Sequence, residues 1–387
     1  MRKLTTVSTN IKIAIVVSSP SLTAKVFLYH QIEALSKIYD VTLISNFDGG
    51  VHPKQWLPDT VNFIHVGIQR KISLWKDIRA LFCLYKIIKT EKFALVHSVS
   101  PKAGFLSMMA SKLAGVPVRI HTFTGQVWAI EVGIKRAILK TIDKVTNKST
   151  TLTLVDSNSQ REFMLENKVT SEAHSAVLGD GSISGVDLER FKPSEESRKK
   201  TRFEMKSSDS SVVILFVGRL KKDKGVFELV EAYIDACSEI KNMELWLVGQ
   251  DEENMQDSIE QCDSIKFVNF TDSPECYMAA ADVLCLPSYR EGFGSVVIEA
   301  AGCGIPSIGS NIYGLTDAID DGKTGILVSK KSVSELKNAI LTLAKNTELR
   351  EQLSVAAHKR AVRLFPQSRI TNEVLSTYKR LMQNSGC

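Results

Sequence analysis

The sequence predicts an α/β protein of two doubly wound domains, each a parallel sheet covered by helices on both faces, and three observations carry that expectation. At 387 residues, with 44% hydrophobic content, the chain is longer than one hydrophobic core usually covers. Short apolar runs alternate with longer helical patterns from end to end, as in parallel strands buried on both faces. A charged, serine-rich stretch at 191–211, FKPSEESRKKTRFEMKSSDSS, separates two such sets and has almost no apolar periodicity. The expected domains are therefore 1–190 and 212–369, joined by a hinge over 191–211. The amphipathic final segment 370–387 is expected to pack back on the first domain.

Taken in order, the strands of the first half are expected at 11–17, 41–45, 62–66, 95–97, 119–122, 151–156 and 176–178. Those of the second half fall at 212–217, 244–248, 266–269, 283–286, 307–308 and 326–328. Open parallel sheets bind ligands beyond the carboxyl ends of their strands, so the two domains are expected to face a central cleft, with chemistry on strand-to-helix loops.

Charge and cysteine usage exclude several classes. The net charge is +6, but residues 1–190 hold 24 Lys/Arg against 15 Asp/Glu, while 191–387 hold 25 against 28. No zinc-finger or RNA-binding signature accompanies the basic first half, so nucleic acid is not an expected partner. Anionic lipid or a phosphorylated substrate fits that charge. The seven cysteines are scattered and form no CxxC pair, so neither a zinc site nor a disulfide framework is expected, and a reducing cytoplasmic setting fits. The start, MRKLTTVSTNIKIAIVVSSP, has basic residues before an apolar run, but IAIVV is too short for a signal-peptide core and reads as a first buried strand. No stretch approaches the roughly 18 apolar residues that a spanning helix requires.

Two loops concentrate groups suited to an anionic ligand. In LFVGRLKKDKGVFELVEAY, 215–233, Arg219 and Lys224 precede a helix start, and two cations there suit a diphosphate, although a basic surface turn would carry the same residues. The spacing is not that of a Walker loop. In VLCLPSYREGFGSVVIEAAGCG, 283–304, a strand ends, the loop YREGFG turns, and a helix opens near Ser295. Unpaired amides around Gly294 and Ser295 would hold phosphate oxygens, Glu299 would accept hydrogen bonds from a ribose diol, and Glu291 would reach a second polyol. Acids complementing a helix dipole would account for Glu299 but not for the paired glycines.

GRLKKDKG, together with Glu291 and Glu299 inside EGFGSVVIEA, resembles the retaining glycosyltransferase family 4. SGVDLERFKP at 184–193 matches that family's hinge-side motif, and IHTFTGQVW at 120–128 matches its first-domain active-site loop. That loop and the spacing of VHSVSPKAG, 96–104, are most similar to bacterial enzymes building O-antigen, capsule or lipid-linked oligosaccharides. The resemblance implies the GT-B fold of two Rossmann-like domains. It implies that Arg219 and Lys224 bind the donor diphosphate, that Gly294 and Ser295 present phosphate-binding amides, that Glu299 binds ribose, that Glu291 contacts the transferred sugar, and that His121 lies near it. One departure is Ser18-Ser19-Pro20-Ser21, where many relatives carry two glycines, so no acceptor contacts are assigned there.

The activity implied is transfer of a sugar from a nucleotide diphosphate donor, a UDP-sugar foremost, to a hydroxyl of a lipid-linked or growing glycan, with no metal or other cofactor. The alternatives are an epimerase or phosphorylase on the same fold, or a catalytically silent nucleotide-sugar binder in a glycan-assembly complex. Finally, in GIKRAILKTIDKVTNKS, 133–149, Arg136, Lys140, Lys144 and Lys148 recur every four residues beside Ile134, Ile138, Ile142 and Val145. Such a stripe, which no aromatic is expected to anchor, is either a solvated helix face or a peripheral contact with anionic membrane lipid on the cytoplasmic side.

Overall fold

The computed structural model describes residues 11–48, 51–69, 73–259 and 262–386, so the basic start over 1–10 and the last cysteine, Cys387, lie outside the described residues. Two compact units emerge, Met1–Ser184 with Ser368–Cys387, and Gly185–Gln367.

The first unit holds β1 (Lys12–Val16), β2 (Asp40–Ser45), β3 (Asn62–His65), β4 (Leu95–Val99), β5 (Val118–Phe123), β6 (Leu152–Val155) and β7 (Ser175–Val177). They form one parallel sheet in the order β3-β2-β1-β4-β5-β6-β7. Its helices are α1 (Tyr29–Ser36), α2 (Leu74–Glu91), α3 (Pro101–Ala114), α4 (Gly133–Ser149) and α5 (Asn158–Glu166). The two-residue period of a strand divides β1 between two cores. Ile13 and Ile15 pack with Ile32 and Leu35 of α1, whereas Ala14 and Val16 pack with Leu84 and Ile88 of α2 and Leu106 of α3.

Helix α6 (Glu195–Glu204) opens the second unit. The strands β8 (Val212–Val217), β9 (Met243–Val248), β10 (Ile265–Val268), β11 (Val283–Leu286), β12 (Ser307–Ser310) and β13 (Gly325–Val328) follow. They pair in parallel in the order β10-β9-β8-β11-β12-β13. Helices α7 (Val226–Cys237), α8 (Pro274–Ala280), α9 (Ser295–Gly302), α10 (Leu315–Ala318), α11 (Val333–Lys345) and α12 (Thr347–Leu364) surround one continuous core. The last helix, α13 (Gln367–Asn384), places Val374, Tyr378 and Met382 in the same core as Ile13 and Ile15 of the first unit.

All thirteen expected strands are present, with each end within two residues of the expectation. Two were read two residues short at their carboxyl ends. Ser98-Val99 and Gly309-Ser310 extend β4 and β12, because the ladder continues where the apolar run has stopped.

The expected hinge over 191–211 is corrected. The chain passes into the second unit after Ser184, and α6 belongs wholly to that unit. Hydrophobic periodicity could not reveal α6, because ion pairs hold it. Arg202, 1% exposed, donates to Asp282 Oδ2 at 2.8 Å and to the carbonyls of Ala280 and Ser211, while Arg198 donates to Asp282 Oδ1 at 2.8 Å. Asp282 in turn accepts the Val213 amide at 2.7 Å, which ties the charged helix to the start of β8. A buried arginine is tolerable only with its hydrogen bonds made, as they are here. The two segments that pass between units also pair within the second one. Val186 N donates to Phe365 O at 2.7 Å, and Gln367 N to Val186 O at 2.9 Å.

Candidate active site

In each sheet the strand order reverses beside the first strand, between β1 and β4 and between β8 and β11. Loops leaving such a pair in opposite directions open a crevice at the carboxyl ends of the strands. In the second unit the two loops are 218–225, after β8, and 287–294, after β11, which are the loops that carry the candidate residues.

The loops are fastened to one another. Tyr289 N donates to Asp223 O at 2.9 Å, Arg290 lies 3.5 Å from Asp223, and the Tyr289 hydroxyl donates to Glu228 on α7. Lys224 Nζ meets Glu291 Oε1 at 2.5 Å, both side chains being mostly buried, and Ser288 Oγ donates to the same oxygen at 2.8 Å. Arg219 pairs with Glu252 at 3.1 Å. Both candidate cations thus hold carboxylates of their own domain.

Helix α9 begins at Ser295, with Gly294 as its N-cap at φ 87°. That left-handed geometry suits glycine, and a β-carbon there would press into Leu315, so the second glycine of EGFG is a steric requirement of the turn. Val297 N donates back to Gly294 O at 2.8 Å, and the Ser295 and Val296 N–H groups open the helix, where its dipole favours an anion. One turn further, Glu299 is only partly exposed. Its carboxylate makes no hydrogen bond or ion pair among the described residues. Burial pushes its pKa up to about 7, Arg190 opposes that shift and Glu275 adds to it. Arg190 belongs to the SGVDLERFKP segment and pairs with Glu275 at 2.8 Å. The segment also backs α9, since a β-carbon on Gly302 would strike the carbonyl of Phe191.

His121 lies in the first unit, on β5. It is 1% exposed, and its Nδ1 is 2.9 Å from Ser98 Oγ and 3.1 Å from Ser98 O. A carbonyl can only accept, so Nδ1 carries the hydrogen. Burial, with His97 nearby, lowers the imidazole pKa to about 3. The ring is therefore neutral, and Nε2 is left as an acceptor. Gly104 on α3 makes the space for it, because a β-carbon there would sit within 2.7 Å of three ring atoms. Beside it, buried His97 joins Tyr378 of α13 (Nδ1 to the hydroxyl, 2.6 Å) to Thr122 (Nε2 to Oγ1, 2.7 Å).

The basic stripe on α4 is arranged differently from the expectation, for an aromatic does anchor it. Arg136 and Lys140 lie 5.2 and 5.3 Å from the ring centre of buried Trp128, and Lys140 also donates to Asn167 at 2.8 Å. The helix turns Ile134 and Ile138 outward instead, 81% and 56% exposed. On α2, Leu74, Trp75, Ile78 and Phe82 are likewise exposed.

Several contributors escaped the sequence reading. Asp223, Tyr289, Glu228 and Glu252 are ordinary residues in local context, and contact across the sheet is what gives them roles. Gly104 did leave a signal, a glycine inside a helical pattern, where it costs stability unless something needs the space.

Both halves of the chain are similar to known glycosyltransferases. The Glycosyltransferase Family 4 domain matches residues 24–179, and the Glycosyl transferases group 1 domain matches residues 197–360. The capsular polysaccharide biosynthesis glycosyltransferase CapM of Staphylococcus aureus is 28% identical over 364 residues, 92% of this chain and 94% of that one. The UDP-Gal:alpha-D-GlcNAc-diphosphoundecaprenol alpha-1,3-galactosyltransferase of Escherichia coli is 29% identical over 78% of this chain and 79% of its own. Among solved structures, Anabaena HepE in complex with UDP-glucose shares the fold, with a TM-score of 0.78 at 19% identity, covering 96% of this chain and 100% of that one. With both halves matched in order and the GT-B fold in place, the chain belongs to glycosyltransferase family 4.

Proposed function

We propose that this glycosyltransferase moves a sugar from a UDP-sugar to a hydroxyl of a lipid-linked glycan precursor, with retention at the anomeric carbon. The observation that carries this reading is the convergence of Arg219, Lys224, Glu291, Glu299 and the amino end of α9 at one strand-order reversal. The E. coli relative, named for a UDP-Gal donor and a diphosphoundecaprenol-linked acceptor, supports both substrate classes.

As the glycosidic bond breaks, the sugar gains oxocarbenium character and negative charge gathers on the departing diphosphate. Arg219, Lys224 and the α9 amides are fixed in advance where that charge develops, so they stabilise the transition state more than the ground state. When a phosphate takes Lys224, Glu291 loses its cation and becomes available to sugar hydroxyls. Glu299 takes the ribose. His121 offers Nε2 as a neutral acceptor to a hydroxyl of the transferred sugar. UDP release measured with and without a lipid-linked acceptor tests the reading, and the expected result is acceptor-dependent release. Epimerised donor without release would point to an epimerase, and donor binding without either to a silent binder.

We also propose that the α4 face of the first domain meets anionic lipid. Exposed Ile134 and Ile138 on α4, with Lys144 and Lys148 beside them, support a shallow apolar contact rimmed by cations, and Arg136 and Lys140 divide their charge between that rim and Trp128. Among the described residues, no helix is long and apolar enough to cross a membrane. Replacing Arg136, Lys140, Lys144 and Lys148 together with glutamate is expected to release the protein from anionic vesicles at low salt while transfer to a soluble acceptor analogue continues. Undiminished vesicle binding would discard the contact.

A further inference from the structure

We propose that Glu252 is a displaceable counter-ion of the donor site, competing with the diphosphate for Arg219 and so helping UDP to leave after transfer. The inference rests on the donor reading above and assigns a role to a loop which that reading leaves unused.

Three observations carry it. Arg219 Nη1 is 3.1 Å from Glu252 Oε2 and 3.4 Å from Oε1, so the carboxylate occupies one guanidinium nitrogen and offsets charge that a phosphate oxygen would otherwise meet. Lys221 Nζ lies 3.5 Å from Glu252 and 3.7 Å from Glu253, and Glu253 accepts the Lys222 amide at 2.9 Å. The acids of the loop after β9 thus occupy much of the cationic loop after β8. The loop that presents them is well held. Leu220 N donates to Gln250 O at 2.9 Å and Glu252 N to Leu220 O, while Asp251 accepts the amides of Glu253, Met255 and Gln256. Glu252 is therefore offered to Arg219 by a structured turn.

Carboxylate and phosphate oxygens compete for the same donors, so nucleotide binding here is an exchange of partners. The exchange is easy to reverse, because Arg219 and Glu252 keep 36% and 24% of their side-chain surface in water. Charge-assisted pairs of this exposure are worth up to about fivefold in an equilibrium. UDP is the leaving group as well as part of the donor, and a site that grips its diphosphate through the transition state retains the product equally well. An anion that returns to Arg219 as UDP moves off weakens that retention without removing the cation that the chemistry needs.

The test is calorimetry of UDP binding to wild type, Glu252→Gln, Arg219→Ala and the double variant, with UDP product inhibition measured alongside. Glutamine keeps the shape and one acceptor. Glu252→Gln is expected to bind UDP about two- to fivefold tighter, with inhibition strengthened in parallel. The gain should shrink in the Arg219→Ala background. Unchanged or weaker binding in Glu252→Gln, with Arg219→Ala still impaired, would overturn the competition and leave the donor site standing. Normal UDP binding by Arg219→Ala would overturn the donor assignment and this inference with it.

Discussion

Two buried histidines and two buried aspartates of the first domain are shifted toward their neutral forms, whereas the candidate loops of the second domain are built around ion pairs. His97 and His121 are held neutral by burial, which lowers both to about 3, while Asp143 and Asp156 are pushed up by burial to about 7 and about 8. Across the chain, Arg202 and Arg198 share Asp282, Lys224 meets Glu291, and Arg219 meets Glu252. The same sheet order and the same reversal point thus carry opposite electrostatics. The difference teaches that the fold sets where a ligand can sit, and side-chain charge sets what the ligand is. A cationic crevice suits a diphosphate, whereas a neutral acceptor nitrogen suits an uncharged hydroxyl.

The largest expected effect breaks the ionic half. Arg219→Ala or Lys224→Ala should each remove about 2 to 4 kcal/mol of transition-state stabilisation, by analogy with a lost oxyanion donor. Turnover should fall about a hundredfold or more, with thermal unfolding little changed in Arg219→Ala and lowered in Lys224→Ala, which leaves mostly buried Glu291 without its cation. Near-normal turnover in both variants would remove the diphosphate role.

The neutral half can be broken through Gly104. Alanine is usually favoured over glycine inside a helix by about 1 kcal/mol, so a gain in stability is the default expectation. Here the new β-carbon meets a buried imidazole bonded to Ser98, and overpacking of that kind costs about 1 to 3 kcal/mol. The clash should win. Gly104→Ala is expected to displace His121 and lower turnover roughly tenfold or more, if the ring makes one hydrogen bond to the sugar. UDP affinity, which belongs to the second domain, should hold. An unchanged turnover and a raised melting temperature would show that the ring moves aside at no cost.

The smallest effect sharpens the comparison, because Glu299 forms no ion pair among the described residues and burial raises its pKa to about 7. Its raised pKa means that below about 7 the empty site holds a proton that ribose binding must release. Linkage then sets the sign: UDP affinity rises with pH up to about 7 and levels off above, with a limiting slope of about tenfold per unit below it. Calorimetry at pH 6 and pH 8 should show this in wild type and a flat profile in Glu299→Gln. Glu291→Gln should spare UDP and impair transfer. A pH dependence that survives in Glu299→Gln would assign it elsewhere.

Much of the molecule was legible in the chain itself. Thirteen strands and two repeating sets followed from apolar runs, because a strand buried on both faces must be continuously apolar. The proposed donor loops stand out in the sequence because cations, glycines and a helix start fall within a few residues of each other. Sequence alone could not show that Lys224 rests on Glu291, that Arg219 rests on Glu252, or that Arg136 and Lys140 cover Trp128. Each such pair spans a long stretch of chain or depends on which side a helix turns inward. Nor could it show that the charged segment 191–211 contains a helix, α6, of the second domain. Its partner, Asp282, lies some eighty residues away, and only the closing of the sheet brings that carboxylate within hydrogen-bonding reach of Arg198 and Arg202. Local composition determines which elements form, since propensity and burial act along the chain. Which charges neutralise one another was decided by the tertiary structure, since Coulombic pairing depends on distance in space.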